Sequence, residues 1–154
     1  MAVRVQEGPF DVGAELAALT GGRTDIGGVA SFTGLVRDMA GGKRVAAMTL
    51  EHYPGMTERK LAEIEAEANR RWPLQASLIV HRYGRMLPGE PIVLVATASA
   101  HRRAALEACA FLIDWLKTRA PFWKLEEPPD GGAGRWVEAR ESDDAAAERW
   151  GEGA

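Results

Sequence analysis

The stretch KTRAPFWK at 117–124 sets two lysines at the ends of a stiff, aromatic segment, with Arg119 between them. Other cations stand where periodic patterns stop: Arg37 after FTGLV, and His101 with Arg102 after TASA. Ammonium, guanidinium and imidazole groups gathered at element ends suit a phosphate or carboxylate, which charge-assisted hydrogen bonds hold strongly. The substrate class this implies is a small anion-bearing molecule. Each cation also has a purely structural reading. Lys117 and Arg119 in a last helical turn would gain about 0.3 to 1 kcal/mol from the helix dipole. Lys124 fits a solvated position in an alternating strand, Arg37 a loop charge beside Asp38, and His101 a polar neighbour in a first helical turn. Phe122 and Trp123 fit a core as well as a ligand platform.

Other chemistries find less support. Cys109 lies in LEACAFLIDWL among apolar neighbours at helical spacing, which suits a buried thiol rather than a nucleophile. The three histidines, His52, His81 and His101, lack the close spacing with Cys or carboxylates of a zinc site, so no metal is expected. GGVASFTG has neither dinucleotide nor P-loop spacing, and no cofactor is expected. A net charge of -3 argues against a dedicated nucleic-acid binder. No apolar run approaches about 18 residues and MAVRVQEGPF lacks a signal-peptide pattern, so the expected setting is cytoplasmic, without a membrane.

The elements that must position these residues follow from pattern. With 154 residues, 46% hydrophobic and 27% charged, the chain is expected to form one domain, 1–154. VRVQ reads as a strand, and Asp11 as the cap of a short helix through Ala18. The run at 26–34 reads as a strand whose glycines predict a bulge or close approach by another backbone. RDMAGGKR reads as a flexible loop, and VAAMTLEHY as a strand. From Thr57, Leu61, Ile64, Ala68 and Trp72 recur at helical spacing, with Glu65 expected at the stripe's edge, reaching water. ASLIVHRYG and PIVLVATAS read as strands joined around LPGE, the second central in its sheet. Ser99 is expected to cap a helix over about 100–119, buried through Leu106, Cys109, Phe111, Leu112, Ile113 and Leu116 and stopped by Pro121. FWKLEE and RWVEA then read as strands around PPDGGAG, and SDDAAAERW as a terminal helix. Irregular alternation of strands and helices predicts an α+β fold with a mixed sheet packed against helices.

Taken together, FTGLVRD, LEHYPGM, SAHR, KTRAPFWK and RWVEARES resemble, in order and spacing, the catalytic (larger) subunit family of molybdopterin synthase, from about Gly27 to Trp150. The resemblance implies an α/β hammerhead-type fold and a homodimer within a heterotetramer. Each catalytic subunit would carry a small ubiquitin-like sulfur-carrier subunit whose C-terminal Gly-Gly thiocarboxylate enters the pocket. The implied reaction is a sulfur transfer that converts cyclic pyranopterin monophosphate to molybdopterin. Matched position by position, substrate contacts fall on Leu35, Val36 and Arg37, on His101 and Arg102, on Lys117, and on Lys124, Leu125 and Glu126. Arg140 would reach the other subunit's pocket, and Lys117 and Lys124 match the family's essential lysines. Leu35 and Leu125 stand where many relatives carry basic residues, which implies a less cationic rim. Lys117 is the first choice for general acid or base and Lys124 the second, with oxyanion stabilisation as the other role open to Lys124. The alternatives are a non-catalytic phosphometabolite-binding or carrier-docking protein and a structural oligomerisation domain.

Overall fold

The computed structural model describes residues 2–137 and 141–151, the side chains of Glu141 and Ser142 excepted. Its larger sheet has the order β1-β6-β8-β2, built from β1 (Ala2–Gln6), β6 (Leu74–Arg82), β8 (Pro91–Ser99) and β2 (Gly28–Leu35). β1 runs parallel to β6 while the other pairs are antiparallel, so the sheet is mixed. Alternation along β8 explains its apolar run. Val93 and Val95 face the helices α2 (Met56–Arg71) and α3 (Arg102–Arg119), whereas Leu94 and Ala96 face α1 (Val12–Thr20). A strand covered on both sides has no solvent face to leave polar.

The smaller sheet, in the order β10-β9-β5-β7, is antiparallel throughout: β10 (Arg135–Val137), β9 (Phe122–Glu127), β5 (Ala47–His52) and β7 (Gly84–Met86). A last helix, α4 (Glu141–Glu148), leans on α3. Two indoles fasten it: Trp115 Nε1 donates to the Ala147 carbonyl at 3.3 Å, and Trp150 Nε1 to Asp114 Oδ2 at 2.7 Å. Trp150 also meets Phe111 and Trp72 edge-on.

Most predicted elements stand where the pattern put them, including the Asp11 cap, whose carboxylate accepts the Ala14 N–H at 2.8 Å. Four expectations are corrected. RDMAGGKR is not a flexible loop but a hairpin, β3 (Met39–Ala40) against β4 (Lys43–Arg44). Its two-residue turn, Gly41 and Gly42, has both φ angles positive, at 58° and 77°, which glycine adopts without strain. Ser99 does not cap α3: His101 holds the cap position without a side-chain bond, and Ser99 Oγ donates to the Pro73 carbonyl at 2.8 Å. Leu106 is 61% exposed, on the side of α3 turned from the core. The close approach by another backbone expected for the glycines of 26–34 is present and needs no correction: a Cβ on Gly27, just before β2, would lie 2.0 Å from the Ala100 oxygen.

Glu65 is the fourth correction. It is buried, with Oε2 accepting the Ser77 hydroxyl at 2.7 Å and the Ala2 N–H at 3.1 Å. The carboxylate therefore ties α2 to β6 and to the edge strand β1, a use that helical periodicity cannot show. Burial raises the Glu65 carboxyl above its ordinary 4.5, and the bonds from Ser77 and Ala2 pull partly back. A carboxyl that keeps its proton longer when folded favours folding at low pH, and that contribution is lost as pH climbs above 4.5. Glu65→Gln retains an acceptor without a charge. Its stability relative to wild type is expected to rise between pH 4 and pH 8, read from urea midpoints; a difference that stays constant with pH would refute the account.

Candidate functional site

Pro121 marks the corner on which the site is built. Ala120, forced out of helical geometry by the following proline, is extended (φ -83°, ψ 132°), although its N–H still donates to the Leu116 carbonyl at 3.3 Å. The helix ends at Arg119 and β9 begins at Phe122, so the chain reverses within two residues. Lys117, from the last helical turn, and Lys124, from the strand, consequently line one cavity of about 340 Å³. Strand alternation sorts the rest of β9. Phe122, Lys124 and Glu126 line the cavity, while Trp123, 48% exposed, and Leu125 do not. Opposite Glu126 and Lys124 in the ladder stand Met48 and Leu50 of β5, which supply an apolar wall.

Arg37 reaches the same cavity from the end of β2. The register shifts between Gly34 and Leu35. Val36 is then held by two backbone bonds, its N–H donating to the Glu90 carbonyl at 2.9 Å and its carbonyl accepting from Gly89 at 2.7 Å. With its side chain buried among Met48, Leu50 and Met86, Val36 fixes where the exposed Arg37 leaves the sheet. Leu35 and Val36 also line the cavity, and the β3-β4 hairpin closes one side through Met39 and Ala40.

Electrostatically the cavity is mixed. Arg37, Lys117 and Lys124 line it together with Glu126 and Asp143. Glu126 is engaged by Arg135 of β10 at 3.4 Å. A cavity with three cations, two carboxylates and apolar walls can hold a phosphate-bearing ring system and present an ammonium to a reacting oxygen. Sequence reasoning did not single out His81 or Asp143. His81 is 5% exposed, stacks on Phe122 with centroids 3.8 Å apart, and lies within hydrogen-bonding distance of its neighbour Arg82, Nδ1 to carbonyl 2.9 Å. The available signal was a lone imidazole ending the apolar run LIVH of β6.

Six of the ten predicted site residues are thus brought together: Leu35, Val36, Arg37, Lys117, Lys124 and Glu126. Leu125 points away and packs close to Gly134. His101 and Arg102 stand at the opposite end of α3 from Lys117, and 15 helical residues at about 1.5 Å each separate them by about 22 Å. Arg140 lies outside the described residues. Among the described residues there is no cluster of three or more metal-ligating side chains, and no helix is long and apolar enough to cross a membrane.

Comparison with known proteins adds family to geometry. The family model described as MoaE protein matches residues 5–119. A molybdopterin synthase catalytic subunit of Mesorhizobium japonicum is 58% identical over 148 residues, covering 96% of this chain and 92% of the relative. A solved molybdopterin biosynthesis MoaE protein from Burkholderia ambifaria superposes with a TM-score of 0.83 at 55% identity, covering 99% of both chains. The crystal structure of molybdopterin synthase from Staphylococcus aureus superposes with a TM-score of 0.79 at 32% identity, covering 87% of this chain and 95% of that one.

The burial of His81 has a consequence for stability. Desolvation lowers its pKa from 6.5 to about 3; the bond to Arg82 opposes the shift, while the charges of Lys117, Lys124 and His52 add to it. The unfolded chain takes up a proton at His81 near pH 6.5 and the folded chain does not until about 3, so the contribution is present above 6.5 and is lost as pH falls. The slope cannot exceed one proton, about 1.4 kcal/mol per pH unit. His81→Gln is expected to flatten the decline in stability between pH 6.5 and pH 4, measured by denaturant titration; an unaltered slope would show that His81 titrates normally.

Proposed function

The chain belongs to the MoaE protein family, and on that premise we infer that it is the catalytic subunit of a molybdopterin synthase. It converts cyclic pyranopterin monophosphate to molybdopterin with sulfur from the C-terminal thiocarboxylate of a small ubiquitin-like carrier subunit. It works as a homodimer within a heterotetramer, and its setting is cytoplasmic. The observation that carries this reading is the meeting of Lys117 and Lys124, from two different elements, in one cavity with Arg37.

In this reading Arg37 and Lys117 hold the substrate's phosphate through charge-assisted bonds, and the apolar wall of Met48, Leu50 and Phe122 lies beside the ring system. The carrier's thiocarboxylate sulfur attacks a side-chain carbon of the pterin, a C–S bond forms, and the C–O bond breaks. Lys117 gives its proton to the departing oxygen. The carrier then remains joined through an acyl–sulfur bond. Water adds to that carbonyl, Lys124 stabilises the oxyanion, and the carrier leaves as a carboxylate while the sulfur stays on the pterin. Two such transfers complete the dithiolene.

His101 and Arg102 need the homodimer if they are to touch the same substrate. β2 is an edge strand of the larger sheet. The Arg102 backbone lies near its start, 3.5 Å from a Cβ built on Gly28, and Arg37 follows just past its end. Antiparallel pairing of two β2 edges across a twofold axis would bring the start of each beside the end of the other. Such pairing also covers the exposed Val29 and Phe32 and satisfies the edge's backbone groups. His101 and Arg102 would then serve the second copy's pocket.

The test is direct turnover. Protein mixed with thiocarboxylated carrier and cyclic pyranopterin monophosphate should yield dithiolene product, detected by mass. Lys117→Ala is expected to lower the rate by about 100-fold or more, the usual loss for a general acid, with thermal unfolding unchanged. A wild-type protein that binds both partners and forms no product would point to the non-catalytic docking reading, and full turnover by Lys117→Ala would remove that lysine from the chemistry.

A further inference from the structure

His81 is a cavity residue for which sulfur transfer, as derived above, has no use. It is flanked by cations and carboxylates from each element around it: Lys117 of α3, Lys124 and Glu126 of β9, His52 of β5, Arg37 beyond β2 and Asp143 of α4. Its own polar atoms have distinct assignments. Nδ1 lies 2.9 Å from the Arg82 carbonyl oxygen, which can only accept, so Nδ1 carries the hydrogen. The other nitrogen, Nε2, is therefore a lone-pair acceptor on a ring that lines the cavity. Phe122 lies stacked at 17° to the imidazole, its centroid 3.8 Å away.

An acceptor in this place has few suitable donors. The ammonium groups have the carboxylates of Glu126 and Asp143 in the same cavity, and an anion outcompetes a neutral imidazole for an ammonium. A phosphate or thiocarboxylate has no hydrogen to give. An uncharged N–H or O–H on the ring system of the substrate is the donor that fits. We propose that His81 is a specificity-determining residue of the sulfur-transfer site, its Nε2 accepting a hydrogen bond from an uncharged N–H or O–H of the pterin. This assignment rests on the functional reading above, and it gives the cavity a way to read the ring, which cations that grip phosphate cannot do.

Two substitutions separate the acceptor from the ring. His81→Phe keeps an aromatic face for Phe122 and removes the acceptor, whereas His81→Gln supplies a carbonyl oxygen in its place. In the turnover assay, with carrier saturating, His81→Phe is expected to raise KM for cyclic pyranopterin monophosphate by about fivefold or more, the loss of one net hydrogen bond, with little change in kcat. His81→Gln should recover most of that loss, and the KM for carrier should stay unchanged in both. An unchanged pterin KM in His81→Phe, or equal impairment in both variants, would overturn the assignment. Should His81→Phe fail to fold, imidazole 15N spectra of the wild-type protein decide: pterin binding should shift the Nε2 resonance while Nδ1 stays protonated, and an unmoved Nε2 would refute the bond. Wild-type protein that yields no product overturns the functional reading and this assignment with it; product from wild type with an indifferent His81→Phe removes this assignment alone.

Discussion

A buried hydroxyl ties the corner at Pro121 to the start of α2 and to the end of β5. Thr57, fully buried at the start of α2, donates from Oγ1 to the Pro121 carbonyl at 3.2 Å and accepts the Tyr53 N–H at 3.0 Å. Tyr53 follows β5 of the smaller sheet, and Pro121 is the corner between α3 and β9. The bond therefore pins the reversal of the chain to the entrance of another helix. Without a fixed corner, a proline-directed turn would set the direction of β9 only loosely, and the distance between Lys117 and Lys124 would vary with it. The carbonyl is part-buried, so losing its partner would cost less than the about 1 to 3 kcal/mol of a fully buried group.

Around that pin the division of labour is simple. The larger sheet and its helices supply the core, with Phe111, Leu61, Ile79 and Leu112 fully buried. The smaller sheet contributes alternation, turning Lys124 and Glu126 inward and Trp123 outward on consecutive positions. A one-residue slip of β9 against β5 would exchange those two sets, so the six-residue register from Ala47 opposite Glu127 to His52 opposite Phe122 is as much part of the site as the lysines.

What was legible in the sequence follows the same division. β8, α2 and α3 announce themselves by period, because burial on a face repeats with the backbone, and Pro121 announces the corner because its chemistry is local. Glu65, Ser99 and His81 did not, since each is explained by a partner far away in sequence or by the particular cavity it borders: Ala2 and Ser77, Pro73, and the walls from α3, β5 and β9. His101 and Arg102 show another limit. Motif matching joined them to Lys117, while the length of one straight helix holds them apart within a single chain. The pairing of Gly41 with Gly42 was visible as flexibility and turned out to be a tight turn, since positive φ at both positions is a conformation and not a lack of one.

The indole fastening of α4 has a consequence at a distance. Val137 and Asp143 complete the cavity wall, yet the helix carrying Asp143 is held by bonds at Ala147 and Trp150. Neither Trp115 nor Trp150 lines the cavity, so a change at either indole would reach the cavity wall only through α4.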